Sequence, residues 1–213
     1  MVRLITFEGG DGTGKTTHLK NLASHLSGLG LSCVLTREPG GTPLGKLIRE
    51  VLVEVGMQPL TSPTELFLYL ADRAQHVETV IRPAIADGKI VLCDRYTDST
   101  LAYQGYGRGL DLALLRQLNA IANRGVEPNL TFLLDCPVEV SLSRTTQRRS
   151  KAGGARGRED RFERESRDFH ERVRAGFLEL ARAEQARFRV VDASRSVHEV
   201  TLEIASLMDR ELQ

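Results

Sequence analysis

The sequence has 213 residues and a formal net charge of +1, and 41% of its residues are hydrophobic while 27% are charged. This length allows one large domain or two small ones, and it is sufficient to bury a substantial core. The balanced charge argues against general binding to nucleic acid or anionic membranes, and no apolar run approaches the ~18 residues of a membrane-spanning helix.

Short apolar runs alternate with longer segments of helical period along the whole chain. This alternation predicts an α/β fold of three layers, in which helices flank a five-stranded parallel sheet. We expect a single domain over residues 1–213. The predicted strands are 3–8, 32–36, 89–94, 130–135 and 188–193. The predicted helices are 14–28, 43–55, 63–87, 111–124, 137–149, 163–186 and 196–211.

Local signals mark several of the predicted helix boundaries. Ser62 is the expected N-cap of the third helix, with Pro63 at its first position and Glu65 completing a capping box. Gly88 is expected to end this helix, because glycine adopts the left-handed conformation that follows many helices. Pro83, inside the same helical pattern, predicts a kink or an early break.

The segment 144–161 differs in composition from the rest of the chain. It contains seven Arg or Lys residues against two acidic residues, with three glycines. Its apolar content is very low. This composition predicts a mobile basic loop between two helices.

The segment GGDGTGKT, residues 9–16, matches the P-loop pattern and lies between a predicted strand and a predicted helix. Glycines there allow backbone N–H groups to converge on phosphate oxygens, and the helix N-terminus favours negative charge. Lys15 is expected to reach the β- and γ-phosphates, and the Thr16 hydroxyl to ligate Mg²⁺. The predicted ATP-binding residues of this segment are Gly9, Gly10, Asp11, Gly12, Thr13, Gly14, Lys15, Thr16 and Thr17.

The residues after the third predicted strand distinguish a transferase from a hydrolase. Asp94, at the strand end, is the candidate second metal ligand, with Asp135 of the next strand as its rival. Hydrolytic motors commonly carry a water-activating glutamate after this aspartate, whereas Arg95 stands here and suits the binding of a second anion. The sequence also lacks the Asn-Lys-x-Asp motif of GTPases. These features favour phosphoryl transfer.

Five segments, in order along about three-quarters of the chain, together resemble the bacterial thymidylate kinase family. They are FEGGDGTGKTT at 7–17, TREPGGTPLG at 36–45, LADRAQHVETVIRPA at 70–84, DRYTDSTLAYQGYGRG at 94–109 and RGREDRFE at 156–163. The resemblance implies a P-loop kinase fold, transfer of the γ-phosphoryl group of ATP to dTMP to give dTDP, and Mg²⁺ as cofactor. It also implies a homodimer formed by helix packing.

The resemblance implies a dTMP site at the end of the sheet that also carries the P-loop. Asp11 would meet the 3′-hydroxyl of the deoxyribose, Tyr69 would stack on the thymine, and Arg73 would contact the edge of the base. Arg37 and Arg95 are expected to hold the phosphate, because two guanidinium groups can bind a dianion bidentately.

Further dTMP contacts are expected around these residues. Glu38 would buttress the two phosphate-binding arginines. In the loop after Arg95, which includes Ser99, the family pattern places Thr100 and Gln104 near the base. Tyr103 would pack against the sugar, where the 2′-hydroxyl of a ribonucleotide would clash.

The family supplies one more arginine to the transferring phosphoryl group, either from the P-loop or from a lid. This P-loop carries Thr13 and no arginine, so we expect 144–161 to be the lid. Arg156 is the expected catalytic residue, with Arg158 as the second candidate, and Arg144 is expected to lie on the adenine ring. An inert, solvated charge run remains the alternative for this segment.

Two other functions remain open at this point. One is a P-loop kinase for a nucleoside or a different monophosphate; the other is a non-catalytic module that binds ATP as a switch. We expect neither nucleic acid nor a membrane as partner. The absence of a signal peptide before the P-loop, and cysteines at 33, 93 and 136 beside apolar runs, predict a cytoplasmic protein with reduced thiols.

Overall fold

A five-stranded sheet organises the computed structural model, which describes residues 3–53, 59–152, 161–162 and 164–212. All strands run parallel in the order β2-β3-β1-β4-β5. The strands are β1 (Leu4–Glu8), β2 (Cys33–Arg37), β3 (Ile90–Asp94), β4 (Leu130–Asp135) and β5 (Phe188–Asp192). The predicted parallel α/β fold is therefore confirmed.

Helices connect the strands and cover both faces of the sheet. They are α1 (Lys15–Gly28), α2 (Pro43–Val53), α3 (Ser62–His76), α4 (Arg82–Ala86), α5 (Thr97–Thr100), α6 (Leu112–Asn123), α7 (Val138–Ala152), α8 (Arg167–Ala183) and α9 (Val197–Leu212). Two π-helical segments, Val77–Ile81 and Leu101–Gly107, follow α3 and α5. None of the helices in the described ranges is long and apolar enough to cross a membrane.

The strands are apolar on both sides because each side packs against helices. Ile5 and Phe7 of β1 join Leu92 of β3 in a cluster with α1 and α9. On the opposite face, Leu4 and Val91 pack with the first π-helical segment. Alternate side chains of one strand thus enter different cores, which explains the continuous apolar runs of the sequence.

The single helix predicted over 63–87 is instead α3, a π-helical segment and α4. The break precedes Pro83, whose ring is tolerated in the first turn of α4. At the other end of α3 the predicted N-cap was wrong by one residue. Thr61 accepts the hydrogen bond from the backbone N–H of Thr64, whereas Glu65 points inward and is buried.

The basic segment is not wholly a loop. Residues 144–152 continue α7 to Ala152, so the loop predicted for this part was wrong. Polar residues of good helix propensity, such as arginine and glutamine, extend the helix without an apolar stripe. Residues 153–160 of the segment lie outside the described residues, whereas Arg161 is described.

Asp72 of α3 is buried on the side of this helix that faces α2. Its Oδ1 accepts from the backbone N–H of Gly40 at 3.2 Å, whereas its Oδ2 has no partner among the residues that the structure describes. A side chain at Gly45 of α2 would collide with Oδ1. Burial, together with the nearby charge of Glu38, raises the pKa of Asp72 to about 6.

This raised pKa predicts a specific dependence of stability on pH. Between about pH 4 and 6 the folded chain holds a proton on Asp72 that the unfolded chain has released, so this group makes stability fall as pH rises. Asp72→Asn removes that effect. We expect the stability of Asp72→Asn relative to the parent protein to rise by about 2 kcal/mol between pH 4 and pH 7 in urea denaturation. Exposed Asp87→Asn is the control, and parallel pH profiles for Asp72→Asn and the parent protein would contradict the prediction.

Candidate active site

The P-loop, residues 9–16, connects β1 to α1 at the carboxyl edge of the sheet. Gly9 and Gly12 adopt φ values of 130° and 83°, which favour glycine. A Cβ at Gly9 would collide with the carbonyl oxygen of Leu134, and one at Gly12 with that of Ser141. The loop is therefore held against β4 and α7 by backbone approaches that only glycine permits.

The Lys15 side chain lies against the backbone of the P-loop. Its Nζ donates to Gly10 O at 2.6 Å and Gly9 O at 3.1 Å. Burial, together with the positive charge of Arg95, lowers the pKa of Lys15 to about 8. An anion in the loop would offset both effects, so the ammonium group is placed to neutralise bound phosphate.

The structure distinguishes the two candidate metal-ligating aspartates. Asp94 accepts a short hydrogen bond from the Thr16 hydroxyl, so these two oxygen groups lie together beside the P-loop. Asp135 instead forms a bidentate ion pair with Arg174, at 2.8 and 2.9 Å. The hydroxyl–carboxylate pair fits Mg²⁺, a hard cation that takes few protein oxygens together with substrate phosphates. The described residues contain no group of three or more His, Cys, Asp or Glu suited to a metal.

Arg95 lies between the P-loop and the helices that follow β3. Its φ of 70° is unusual for a residue other than glycine. Nη1 donates to Gly9 O at 3.0 Å and to Ser99 Oγ at 3.1 Å, and Nη2 donates to Asp11 Oδ1 at 2.8 Å. These bonds fix the guanidinium group at the turn where the backbone is strained.

Glu8, a residue that the sequence analysis did not single out, supports this turn from behind. Its buried carboxylate accepts from the Tyr96 backbone N–H at 2.7 Å and from Ser99 Oγ at 2.6 Å. Burial, with the charge of Asp98, raises the pKa of Glu8 to about 7. Because Ser99 also contacts Arg95, Glu8 acts on the arginine through one intervening hydroxyl.

Asp11 has the compensating contacts that a carboxylate near phosphate needs. The Tyr103 hydroxyl donates to Asp11 Oδ2 at 3.1 Å and accepts from Arg95 Nη2 at 3.0 Å. Burial raises the pKa of Asp11, but the charges of Arg95 and Lys15 outweigh it and hold the pKa well below its usual range. Asp11 is therefore ionised and shared between an arginine and a tyrosine.

Two cavities meet at this arrangement. One is an open phosphate cleft beside the P-loop. Its lining includes Gly12, Gly14, Lys15, Thr16, Thr17, Arg37, Arg49, Asp94, Arg144 and Arg148. The other is a base cavity, and its lining includes Tyr69, Arg73, Ser99, Thr100, Tyr103, Gln104 and Phe162. Asp11, Glu38, Arg49 and Arg95 line both.

Aromatic rings define the walls of the base cavity. The ring centroids of Tyr69 and Phe162 lie 6.5 Å apart, and Phe162 meets Tyr103 edge-on at 5.6 Å. Tyr69 and Arg73 share one face of α3, as their spacing predicted. The cavity thus combines a flat apolar wall with a polar edge, which suits a heterocyclic base.

The polar edge is organised by a buried ion-pair network. Arg73 Nε donates to Glu38 Oε2 at 2.8 Å, and Glu38 Oε1 lies 2.9 Å from His76 Nδ1. The prediction that Glu38 buttresses Arg37 and Arg95 was therefore wrong: its carboxylate turns inward to α3. Arg37 is exposed in the phosphate cleft and makes no side-chain hydrogen bond to the described residues.

The remaining residues of the site include Arg144, which the sequence predicted, and two residues that it did not. Arg144 lines the phosphate cleft and donates to Ala193 O at 2.6 Å and Ser194 O at 3.3 Å. Arg156 and Arg158 lie outside the described residues. Sequence analysis missed Arg49 and Phe162; Arg49 lies on the helical pattern after TPLG, and Phe162 directly follows the basic segment.

Known proteins resemble this chain in both sequence and fold. A family model described as thymidylate kinase matches residues 7–204. A thymidylate kinase of Desulfovibrio desulfuricans is 52% identical over 209 residues, covering 98% of this chain and 96% of that protein. One of Geotalea uraniireducens is 52% identical over 202 residues, covering 95% of this chain and 94% of that protein.

A solved structure agrees with these sequence relatives. The crystal structure of thymidylate kinase from Ehrlichia chaffeensis superposes with a TM-score of 0.77 at 35% sequence identity. The match covers 97% of this chain and 98% of that one. The resemblance noted in the sequence is thereby confirmed, and the chain belongs to the thymidylate kinase family.

Proposed function

We propose that this protein carries out the reaction of its family, the transfer of the γ-phosphoryl group of ATP to dTMP, which gives ADP and dTDP. The observation that carries the proposal is the junction of two cavities at Asp11 and Arg95. A P-loop cleft for polyphosphate and an aromatic cavity for a base share these charged residues. A nucleoside monophosphate spanning the junction would present its phosphate to the donor nucleotide.

The acceptor phosphate is bound by arginines of the shared cleft. Arg37 is exposed and available, Arg49 lines both cavities, and Arg95 is fixed at their junction. A phosphate monoester is mostly dianionic at neutral pH, so it needs no general base. Holding two anionic groups in line against their mutual repulsion is then the main task of the protein.

The nucleoside part of dTMP occupies the base cavity. Tyr69 and Phe162 provide the stacking wall, while Arg73, Thr100 and Gln104 provide the polar edge. Ser99 and Tyr103 stand beside Asp11, where the sugar would lie. Tyr103 is buried among three phenylalanine rings, which gives its ring little freedom to make room for a 2′-hydroxyl.

ATP occupies the P-loop, whose backbone from Gly9 to Thr17 surrounds the phosphates, while Arg144 lies near the adenine. Lys15 neutralises the β- and γ-phosphates. Thr16 and Asp94 would hold Mg²⁺, which supplies further neutralisation of phosphate charge when bound. No observation favours a switch module or a different acceptor.

One experiment tests the acceptor. Incubation with ATP, Mg²⁺ and each of dTMP, dUMP, UMP, dCMP and thymidine should show dTMP as the best acceptor by kcat/KM, measured as ADP release. The aromatic cavity and the arginines together require both a base and a phosphate, so thymidine should be a poor substrate. ATP binding without phosphoryl transfer to any acceptor would instead indicate a switch module.

A matched pair of substitutions tests the metal site. Asp94→Asn removes a carboxylate charge beside the P-loop and should lower kcat by at least about 100-fold and weaken the dependence on Mg²⁺. Asp135→Asn removes a carboxylate from the end of the neighbouring strand, where Arg174 already neutralises it, and should change kcat by less than about tenfold. A Mg²⁺ titration of each variant measures both effects. Equal losses in the two variants would refute the assignment.

The additional arginine is assigned to the segment after α7. Thr13 is buried and donates to Gly10 O at 3.0 Å, and the P-loop has no arginine. We therefore keep Arg156 as the residue that meets the transferring phosphoryl group, with Arg158 as second candidate. Arg156→Ala should lower kcat by roughly 10³-fold while the Kd for dTMP stays within about threefold. A normal kcat would assign the role to Arg158.

We also propose a cytoplasmic homodimer. Exposed apolar side chains lie on three helices that pack side by side, α2, α3 and α6. They include Leu47, Phe67, Leu114 and Ile121, which are 61%, 60%, 49% and 73% exposed. Apolar exposure over neighbouring helices is typical of an interface, and the molar mass in solution tests this proposal.

A further inference from the structure

Glu65 is a buried carboxylate that contacts a residue of the base cavity, Gln104. It lies in the first turn of α3 and is 1% exposed. Its Oε2 lies 2.7 Å from Arg161 Nη2 and 3.2 Å from Arg108 Nη2. A carboxylate between two guanidinium groups is an acceptor of hydrogen bonds and has no proton to donate.

The other oxygen of Glu65 holds the side-chain amide of Gln104. Gln104 Nε2 donates to Glu65 Oε1 at 2.7 Å. Because the carboxylate can only accept hydrogen bonds, the Gln104 amide must direct its nitrogen toward Glu65. The charge of Glu65 therefore decides which amide atom is the nitrogen and which is the oxygen. The carbonyl oxygen of Gln104, a residue of the base cavity, then faces away from Glu65. None of the residues that the structure describes donates to that oxygen.

The neighbouring groups of the polar edge have the opposite character. Arg73 Nη1 donates to Thr100 Oγ1 at 2.8 Å, so the Thr100 oxygen accepts there and its own proton is directed elsewhere. Arg73 Nη2 donates to Tyr96 O at 2.9 Å, which leaves one further N–H on that nitrogen. At the polar edge, Gln104 Oε1 is therefore an acceptor that lies beside the Thr100 hydroxyl and the Arg73 guanidinium group as donors.

This polarity matches one class of pyrimidine. Thymine and uracil carry a ring N3–H donor beside the O4 acceptor, whereas cytosine has an N3 acceptor beside a 4-amino donor. An acceptor beside donors complements the first arrangement and opposes both groups of the second. Leaving such groups unpaired in a buried cavity is costly, so the orientation of one amide can decide between the two classes.

We propose that Glu65 is a positioning residue that sets base specificity: it fixes the Gln104 amide so that the cavity accepts pyrimidines with an N3–H and rejects 4-aminopyrimidines. The inference rests on the proposed function and extends it to the selection of the base. Glu65 does not touch the substrate in this scheme. It acts through Gln104, and its two arginine partners hold its carboxylate in place.

The experiment compares three acceptors in one variant. Glu65→Gln can present either an oxygen or an amino group to Gln104, so the amide of Gln104 is free to turn over. We expect the ratio of kcat/KM for dCMP to that for dTMP to rise at least about tenfold. The corresponding ratio for dUMP should stay within about twofold, because uracil has the same polar edge as thymine. A merely structural role of Glu65 would lower all three values without changing the ratios.

Glu165→Gln is the matched control. Glu165 lies 2.7 Å from Arg108 Nη1, so it shares an arginine with Glu65 but has no recorded contact with Gln104 among the described residues. Its substitution should leave the kcat/KM ratios of dCMP to dTMP and of dUMP to dTMP unchanged. Should Glu65→Gln not fold, Glu65→Asp keeps the negative charge for the arginines but withdraws it from Gln104, and the same rise is expected.

An unchanged dCMP ratio in a folded Glu65 variant would overturn the proposal, as would the same rise in Glu165→Gln. Folding of each variant is checked by thermal unfolding without ligand. Failure of the parent protein to use dTMP would contradict the proposed function instead, so the two failures are distinguishable.

Discussion

The contact between Arg95 and Asp11 is the interaction on which the site depends. It joins the residue after β3 to the loop after β1, so the neighbouring strands of the parallel sheet bring their carboxyl ends to one point. Without the arginine, a carboxylate among phosphate ligands would be electrostatically unfavourable. Without the carboxylate, Arg95 would lack a fixed direction. The same pair separates the phosphate cleft from the base cavity while lining both.

Around this pair, the chain uses buried charges mainly to orient other groups. Glu8 holds the turn after Arg95, Glu38 holds Arg73, and Glu65 holds Gln104. In each case a carboxylate without solvent access supports a side chain that faces a cavity. Buried charges are costly unless paired, and each of these has a donor at 2.7 or 2.8 Å. Rigid orientation replaces acid–base chemistry, which suits a reaction whose acceptor is already ionised.

Sequence patterns predicted the fold and the position of the P-loop well because both are encoded locally. Apolar runs identified the strands, and the spacing of Gly9, Gly14 and Lys15 identified the loop. The partners of Glu38 and Glu65 could not be found this way. The spacing of Glu65 in the sequence fits a capping box. The residues that its side chain contacts lie on later elements, at Gln104, Arg108 and Arg161. Only the packing of α3 against the segments that follow α5 decides that it turns inward.

The close approach of Gly12 to Ser141 bears on how the length of this chain can vary. It anchors the start of α7 to the P-loop, while Arg161, the last residue of the basic segment, is anchored by Glu65 and by Leu52 O at 3.1 Å. The cost of closing a loop between fixed ends grows only slowly with its length. Residues can therefore be gained or lost between Arg148, which lines the phosphate cleft from α7, and Arg161 without moving either anchor, so evolution can change the length of this stretch while the two ends of the basic segment stay in place.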